Sequence, residues 1–331
     1  MLRAAGGPEV LELADWPTPT VGKGQVRVRV RGCGVCYRDV IDRQGKYPFM
    51  RRPVVTGHEW AGEVVEVGDG GTFVVGDRVA SVHRPACGEC SACLGGDEIR
   101  CTTSPVMYGL TVDGGYAEEV LAWVGSLVKV PAEVPLDEAC VLHCTAAVAL
   151  RALRQHARLV AGETVLVTGA SGGVGVYAVQ VAKILGARVL AVTSQESKVA
   201  ALKALGVDEV VLAKGEFHKA LVGAADVVLE LVGAPTFNSA LRTLRPGGRA
   251  VIVGNVTGQR LEVNPGYLIL KELSVAGSSS ASRADLAEVL GWAADGRLAP
   301  VIAARLPLSD AAAAQSRLEA RSVVGRQVLI P

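Results

Sequence analysis

Along residues 25–31 the side chains alternate one for one, Gln25-Val-Arg-Val-Arg-Val-Arg31. A period of two puts one set on each face of a strand, so this segment reads as an antiparallel strand with one buried and one wet face. Gly62-Glu-Val-Val-Glu-Val-Gly68 and Asp77-Arg-Val-Ala-Ser-Val82 are further short strands, set off by turns at Asp69-Gly-Gly71 and Gly76-Asp77. The first part of the chain is therefore expected to be β-rich. Near Cys144 the pattern changes. Short apolar runs at 165–168, 188–193, 210–212, 226–230, 249–253 and 273–276 predict strands. The helices between them begin with one that carries Val174, Ala178, Val181 and Leu185 on one face. A second covers 197–205 and stops at Gly206. A third covers 235–244, opened by Pro235 and closed by Pro246-Gly-Gly248. Strands alternating with helices imply right-handed βαβ units and a doubly wound parallel sheet, the dinucleotide-binding pattern. From about Ser278 the chain returns to mixed structure.

Composition narrows the class. At 331 residues two domains are expected, and 50% hydrophobic against 20% charged residues supplies two cores. The formal net charge is +1, with no basic stripe or acidic tail, so neither nucleic acid nor an anionic membrane is an expected partner. The apolar stretch 139–150 is broken by His143 and Thr145 and is too short to span a bilayer. The N-terminus lacks the apolar core of a signal peptide. Six of the 8 cysteines can be placed at metal-ligand positions, which suits a reducing compartment, so a soluble cytoplasmic protein is expected.

Cys87, Cys90, Cys93 and Cys101 are spaced C-x2-C-x2-C-x7-C, with Gly88, Gly95 and Gly96 between them to let the backbone turn. Four thiolates on one compact loop close a tetrahedral shell around Zn²⁺ with no open position, which makes a structural site. Downstream, the strand at 165–168 runs into Gly169-Ala-Ser-Gly-Gly-Val-Gly175 and then a helix. Small residues there let backbone approach a pyrophosphate, and the helix N-terminus supplies N–H groups and a positive dipole end. The candidate cofactor contacts are Ala170, Ser171, Gly172, Gly173, Val174 and Gly175, with Thr193, Ser194, Lys198, Gly254 and Asn255. An acid at the end of the second strand would accept from the ribose 2′-OH of NAD. Thr193-Ser-Gln195 stands there instead, and Ser194 and Lys198 can bond a 2′-phosphate, so NADP(H) is expected over NAD(H).

Three scattered segments carry a resemblance: Gly34-Val-Cys-Tyr-Arg-Asp39, Gly57-His-Glu-Trp-Ala-Gly62 and Leu142-His-Cys-Thr145. With the four-Cys lobe, and in this order, they resemble the zinc-containing medium-chain dehydrogenase/reductase (alcohol dehydrogenase) family over essentially the whole chain. The resemblance implies a GroES-like catalytic domain at 1–145 and 279–331 and a Rossmann domain at 146–278, with the active site in the cleft between them. It implies a catalytic zinc on Cys36, His58 and Cys144, hence two zinc ions per subunit, although His143 is an alternative to Cys144. It makes Asp39 the carboxylate that orients His58 and Glu59 the acid beside the zinc. Ala170, Gly172 and Gly175 fall on the family's three glycine positions. Cys33 and Cys140 are expected to be small buried hydrophobes. Such proteins are homodimers or homotetramers, often joined through the edge strand, here 273–276.

The implied activity is hydride transfer between the nicotinamide and a small alcohol, ketone or aldehyde. One departure bears on it. The family's proton-relaying Ser or Thr, two residues after the first Cys ligand, is here Arg38, and Val40 and Ile41 stand where some members have a relay His. Arg stays charged and cannot relay a proton in the ordinary way. Arg38 is expected either to hold an anionic substrate group or, preferably, to pair with Asp39 or Glu59. Cys-Tyr-Arg-Asp, Gly233-Ala-Pro-Thr-Phe237, Pro246-Gly-Gly-Arg249 and Gly266-Tyr-Leu-Ile-Leu-Lys271 also resemble archaeal acryloyl-CoA reductases of the same family. The alternatives are therefore an enoyl-CoA reductase acting on an acyl-CoA and, in another class, an NADPH-binding protein without turnover.

Overall fold

The computed structural model describes residues 1–70, 72–213 and 216–331; Gly71 of the turn expected at 69–71 lies outside them. The chain forms two compact units, Met1–Ala147 with Ser280–Pro331, and Val148–Ser279. Strands β1–β13 and helices α1–α10 are numbered along the chain.

The first unit contains β1 (Gln25–Val35), α1 (Tyr37–Arg43), β2 (Glu59–Val67), β3 (Arg78–Ser81), α2 (Ser91–Leu94), β4 (Glu119–Trp123), β5 (Leu127–Lys129) and α3 (Leu136–Leu142). After the second unit the chain adds α9 (Arg283–Ala294), β12 (Ile302–Pro307), α10 (Ala311–Glu319) and β13 (Arg326–Ile330). Its sheet runs β12-β13-β1-β2-β3-β5, with β4 also paired to β1. The alternation in β1 is realised. Val26, Val28 and Val30 pack with Trp60, Val64 and Tyr108 in the core, each valine contributing about 1.5–3 kcal/mol by its burial. On the other face Arg27 pairs with Glu66 at 2.7 Å and Glu119 at 2.9 Å. The strand runs on to Val35, past the end expected at Arg31. Two glycines carry it there: a Cβ on Gly32 would lie 2.8 Å from the Asp137 backbone, and one on Gly34 would lie 2.3 Å from Glu59 Oε2. This close passage delivers Cys36 beside β2 and α3.

The second unit contains α4 (Val148–Arg151), β6 (Thr164–Val167), α5 (Gly175–Ile184), β7 (Arg188–Thr193), α6 (Val199–Ala204), β8 (Glu209–Leu212), β9 (Ala225–Glu230), α7 (Ala234–Arg242), β10 (Leu244–Ile252), α8 (Pro265–Lys271) and β11 (Ser274–Gly277). Its sheet, β11-β10-β9-β6-β7-β8, is parallel throughout, the doubly wound order. Two expectations need correction. Every residue of α5 from Gly175 to Ala182 is buried, so the one-faced reading of that helix was too narrow. And Pro246-Gly-Gly248 does not end an element: it lies inside β10, where pairing with β9 breaks register between Leu244 and Arg249.

The helical run from α3 through α4 to His156 is irregular. It has π-helical turns at His143–Ala147 and Ala152–His156, the first of which contains Cys144. Such turns recur where a side chain must be re-aimed. Among the described residues no helix is long and apolar enough to cross a membrane.

Candidate metal centres and cofactor loop

Two groups of metal-capable donors occur among the described residues, and each has its ligand atoms within 4.8 Å of one another. The first is Cys87, Cys90, Cys93 and Cys101. Its loop turns through Gly88 and Gly96, both at φ +80°, which an L side chain rarely adopts. Backbone N–H groups already point at sulfur: Glu89 and Cys90 donate to Cys87 Sγ at 3.4 and 3.3 Å, and Cys87 donates to Cys101 Sγ at 3.4 Å. These bonds favour thiolates. A hydrogen bond from Thr103 brings Cys101 down to about 5. Four converging sulfurs suit Zn²⁺. The lobe is latched to its own unit by Glu98, which accepts from the Arg283 side chain at 2.9 Å at the start of α9. Arg84 donates to the carbonyls of Ile99 and Cys101.

The second group is Cys36, His58, Glu59 and Cys144. Cys36 caps α1, His58 and Glu59 lead into β2, and Cys144 sits in the π turn. His58 Nδ1 lies 2.9 Å from Asp39 Oδ1, and its Nε2 is buried without a hydrogen bond. An imidazole held by a carboxylate on one nitrogen, with the other nitrogen bare beside two sulfurs, fits a zinc ligand set. Cys36 and Cys144 bear on each other's titration in opposite directions. The hydrogen bond from Cys144 holds Cys36 well down, helped by Arg326 and His58, and the same contact and burial push Cys144 well up. Burial and Arg38 both press His58 down, yet Asp39 and Cys36 outweigh them and raise it to about 10. Burial raises Glu59 to about 8, against the pull of Arg326, whose guanidinium lies 2.9 Å away.

The ion pair expected of Arg38 forms with a different partner. Its Nε donates to Asp42 Oδ2 at 3.0 Å, one helical turn on, and its Nη2 donates to the Tyr108 carbonyl at 3.0 Å. Asp39 is engaged by His58, by the Cys36 N–H at 2.9 Å and by the Tyr116 hydroxyl at 3.0 Å, while Glu59 faces Arg326. His143 does not join the cluster: its Nε2 lies 3.2 Å from the Ala281 carbonyl and its ring stacks on His83. Cys33 and Cys140 are buried. Sequence reasoning missed Arg326 and Tyr116, which come from β13 and from the segment before β4 with no local motif to mark them.

In the second unit, residues 169–175 turn at the end of β6. A Cβ on Gly175 would lie 2.4 Å from the Gly169 carbonyl oxygen and 2.5 Å from that of Ala170, so the loop can close only around glycine. Ala170 is buried, while Gly172, Gly173 and Val174 are reachable from solvent. Ser171 Oγ lies 3.2 Å from Thr193 Oγ1, tying the loop to the end of β7. Ser194 is exposed and Lys198 buried. At the end of β9, Glu230 Oε1 accepts from Thr168, Thr236, Val232 N and Gly233 N at 2.7–2.9 Å, which fixes the neighbouring turn. A Cβ on Gly254 would lie 2.1 Å from the Leu231 carbonyl oxygen, so this glycine packs on that turn, and Asn255 Oδ1 accepts from Gly258 N at 3.1 Å. A bare backbone cradle at a helix N-terminus fits a dinucleotide pyrophosphate.

A parallel dinucleotide sheet, a β-rich unit and two soft-donor clusters together define a zinc-containing nicotinamide oxidoreductase, and the chain belongs to the zinc-containing alcohol dehydrogenase family. The family models that match are "Alcohol dehydrogenase GroES-like domain" over residues 22–132 and "Zinc-binding dehydrogenase" over residues 173–295. Among known relatives, an acryloyl-coenzyme A reductase of Metallosphaera sedula is 41% identical over 98% of this chain and 96% of its own length. An alcohol dehydrogenase of Geobacillus stearothermophilus is 34% identical over 96% of each. Among solved structures, that of AibC superposes with a TM-score of 0.94 at 43% identity, covering 100% of this chain and 94% of the other. The chain is thus an enzyme of the oxidoreductase class, and the non-catalytic alternative is set aside.

Proposed function

We propose that this enzyme reduces the carbon–carbon double bond of a small 2-enoyl thioester of the acryloyl-CoA type, with NADPH as hydride donor. The observation that carries this reading is Arg38. It occupies the place two residues after Cys36, and its guanidinium is bound to Asp42 and to the Tyr108 carbonyl. A fixed cation there cannot ferry the hydroxyl proton that alcohol–carbonyl interconversion must exchange with solvent. Alkene reduction has no such requirement. Hydride adds to the β-carbon, the electron pair moves toward the thioester, a proton from solvent completes the α-carbon, and the dihydronicotinamide is oxidised. The name of the Metallosphaera relative points the same way.

Cys36, His58 and Cys144 would hold a zinc ion, with Glu59 beside it, and Cys87, Cys90, Cys93 and Cys101 a second, structural one. When bound at the first centre, zinc supplies a Lewis acid toward a carbonyl oxygen. The protein's part is positional. Asp39 fixes the His58 ring, Arg326 balances Glu59, and Arg38 keeps a permanent positive charge near the thiolates. The 169–175 loop receives the pyrophosphate, with Gly254 and Asn255 nearby. Ser194 and Gln195, not a carboxylate, stand directly after β7, with Glu196 one residue further on, and exposed Ser194 is the first group a 2′-phosphate would meet, which supports NADP(H). The enzyme assembles as a homo-oligomer through the edge strand β11. Its eight free cysteines suit the cytoplasm.

A second reading, reduction of small ketones and aldehydes, is favoured by the same Lewis-acid donor set and by the alcohol dehydrogenase relative. The test is oxidation of NADPH and of NADH by zinc-loaded enzyme, offered acryloyl-CoA, crotonyl-CoA, ketones and aldehydes in parallel. Preferred turnover of the thioesters with NADPH is the expected result. Turnover of carbonyls alone overturns the first reading in favour of the second.

A further inference from the structure

Asp39 is fully buried and its two oxygens serve three groups. Oδ1 faces His58 Nδ1, while Oδ2 accepts from the Cys36 N–H and from the Tyr116 hydroxyl, at 2.9 and 3.0 Å. Tyr116 thus reaches the metal cluster from a segment 77 residues away in sequence. It makes a second approach to the same place. A Cβ on Gly57, the residue before His58, would lie 2.3 Å from Tyr116 Cδ1, so the phenol ring lies flush against the backbone that carries the imidazole. Gly57 is at φ +94°, so that backbone is also in a region disfavoured for side chains. The hydroxyl and the ring of one residue therefore bear on His58 from two sides, one through Asp39 and one through Gly57. Burial, together with the Asp39 charge, pushes the phenol well above its ordinary value, so it carries its proton and donates.

We propose that Tyr116 is a positioning residue for the Cys36–His58–Cys144 centre, setting the orientation of His58 by donating to the far oxygen of Asp39. The proposal rests on the reading of that cluster as a metal centre. A carboxylate that orients a ligating histidine is free to swing about its own Cα–Cβ and Cβ–Cγ bonds unless its other oxygen is tied. The Cys36 N–H supplies one tie and Tyr116 the second, from outside the 36–39 turn. Partners of this outer kind typically change metal affinity by about 10–100-fold when removed. One hydrogen bond two steps from the metal belongs at the lower end.

Tyr116→Phe tests this, because it keeps the ring against Gly57 and removes only the hydroxyl. Zn²⁺ affinity is measured by competition with a chromophoric chelator, and the d–d absorption of the Co²⁺-substituted protein reports ligand geometry. The four-Cys lobe serves as an internal reference. The expected result is roughly tenfold weaker binding at the Cys36–His58–Cys144 centre, a shift of its cobalt bands and no change at the lobe. Unchanged affinity and bands overturn the proposal, as does equal weakening at both sites. A Tyr116→Phe effect of undiminished size in an Asp39→Asn background overturns the route through Asp39. If the unsubstituted protein takes metal at the lobe alone, the metal reading of the cluster fails instead.

Discussion

Arg38 and Asp42 show how a single side chain can be costly to remove. Asp42 is fully buried, its Oδ1 makes no hydrogen bond, and burial raises it to about 6 even with Arg38 opposing. Taking away the guanidinium strands that carboxylate. Arg38→Met is therefore expected to destabilise the protein by about 3 kcal/mol, and Arg38→Met with Asp42→Asn by less, as read by urea unfolding. Gly175 makes the complementary case. Gly175→Val puts carbon into the carbonyls of Gly169 and Ala170, and fluorescence titration should show NADPH affinity reduced at least about tenfold while the metal content stays the same. The residues that could be read in advance share a trait: their chemistry is local or unusual. Four cysteines in fifteen positions, or small residues between a strand and a helix, announce themselves. Arg326 and Tyr116 do not, because an arginine in a strand and a tyrosine after two glycines are ordinary until tertiary pairing sets them against Glu59 and Asp39.

Elements are held by a few polar ties. Asp208 accepts from Val189 N at 2.7 Å and Lys183 Nζ at 3.0 Å, joining the start of β7 to the end of α5. The Val189 N–H, then Lys183, lower its pKa. A depressed carboxylate stabilises the fold above its unfolded pKa, and that contribution is lost as pH falls through the folded value. Asp208→Asn should then cost about 1 kcal/mol at neutral pH, solvent screening keeping the lysine's share small, with the difference fading below about pH 4. Thermal melts of both proteins across pH check it. The four-Cys lobe has little core of its own, since Leu94 is exposed and only Cys101 of its four cysteines is buried. On the zinc reading proposed above, treatment with a chelator should make residues 87–101 the first site of limited proteolysis, with β1–β5 surviving the same digestion. Cleavage that begins elsewhere would contradict this. Strand and helix types were legible from hydrophobic period. Their ends were not, because β1 and β10 continue through glycines that look like stops and are accommodated by close packing or by a break in register.

For the molecule as a whole, the class of fold was legible in the switch from alternating to βαβ patterning. The strand order of the first unit was not, since it joins Cys33 to Leu329 and no local signal marks so distant a pairing. The apolar surface bears on assembly. Ile269 and Leu270 of α8 are 74% and 85% exposed, next to β11, whose outer edge has no partner strand among the described residues. Leu270→Asp is expected to lower the sedimentation mass toward that of one chain while leaving the far-ultraviolet circular dichroism unchanged. The π-helical turn at His143–Ala147 has a consequence of another kind. Such a turn bonds i to i+5 and so holds one residue more than an α-helical turn. Deleting His143 would bring Cys144 into the angular place of its neighbour, about 100° around the axis, away from Cys36 and His58. A chain with that deletion would keep every ligand residue in its sequence and yet not bring them together.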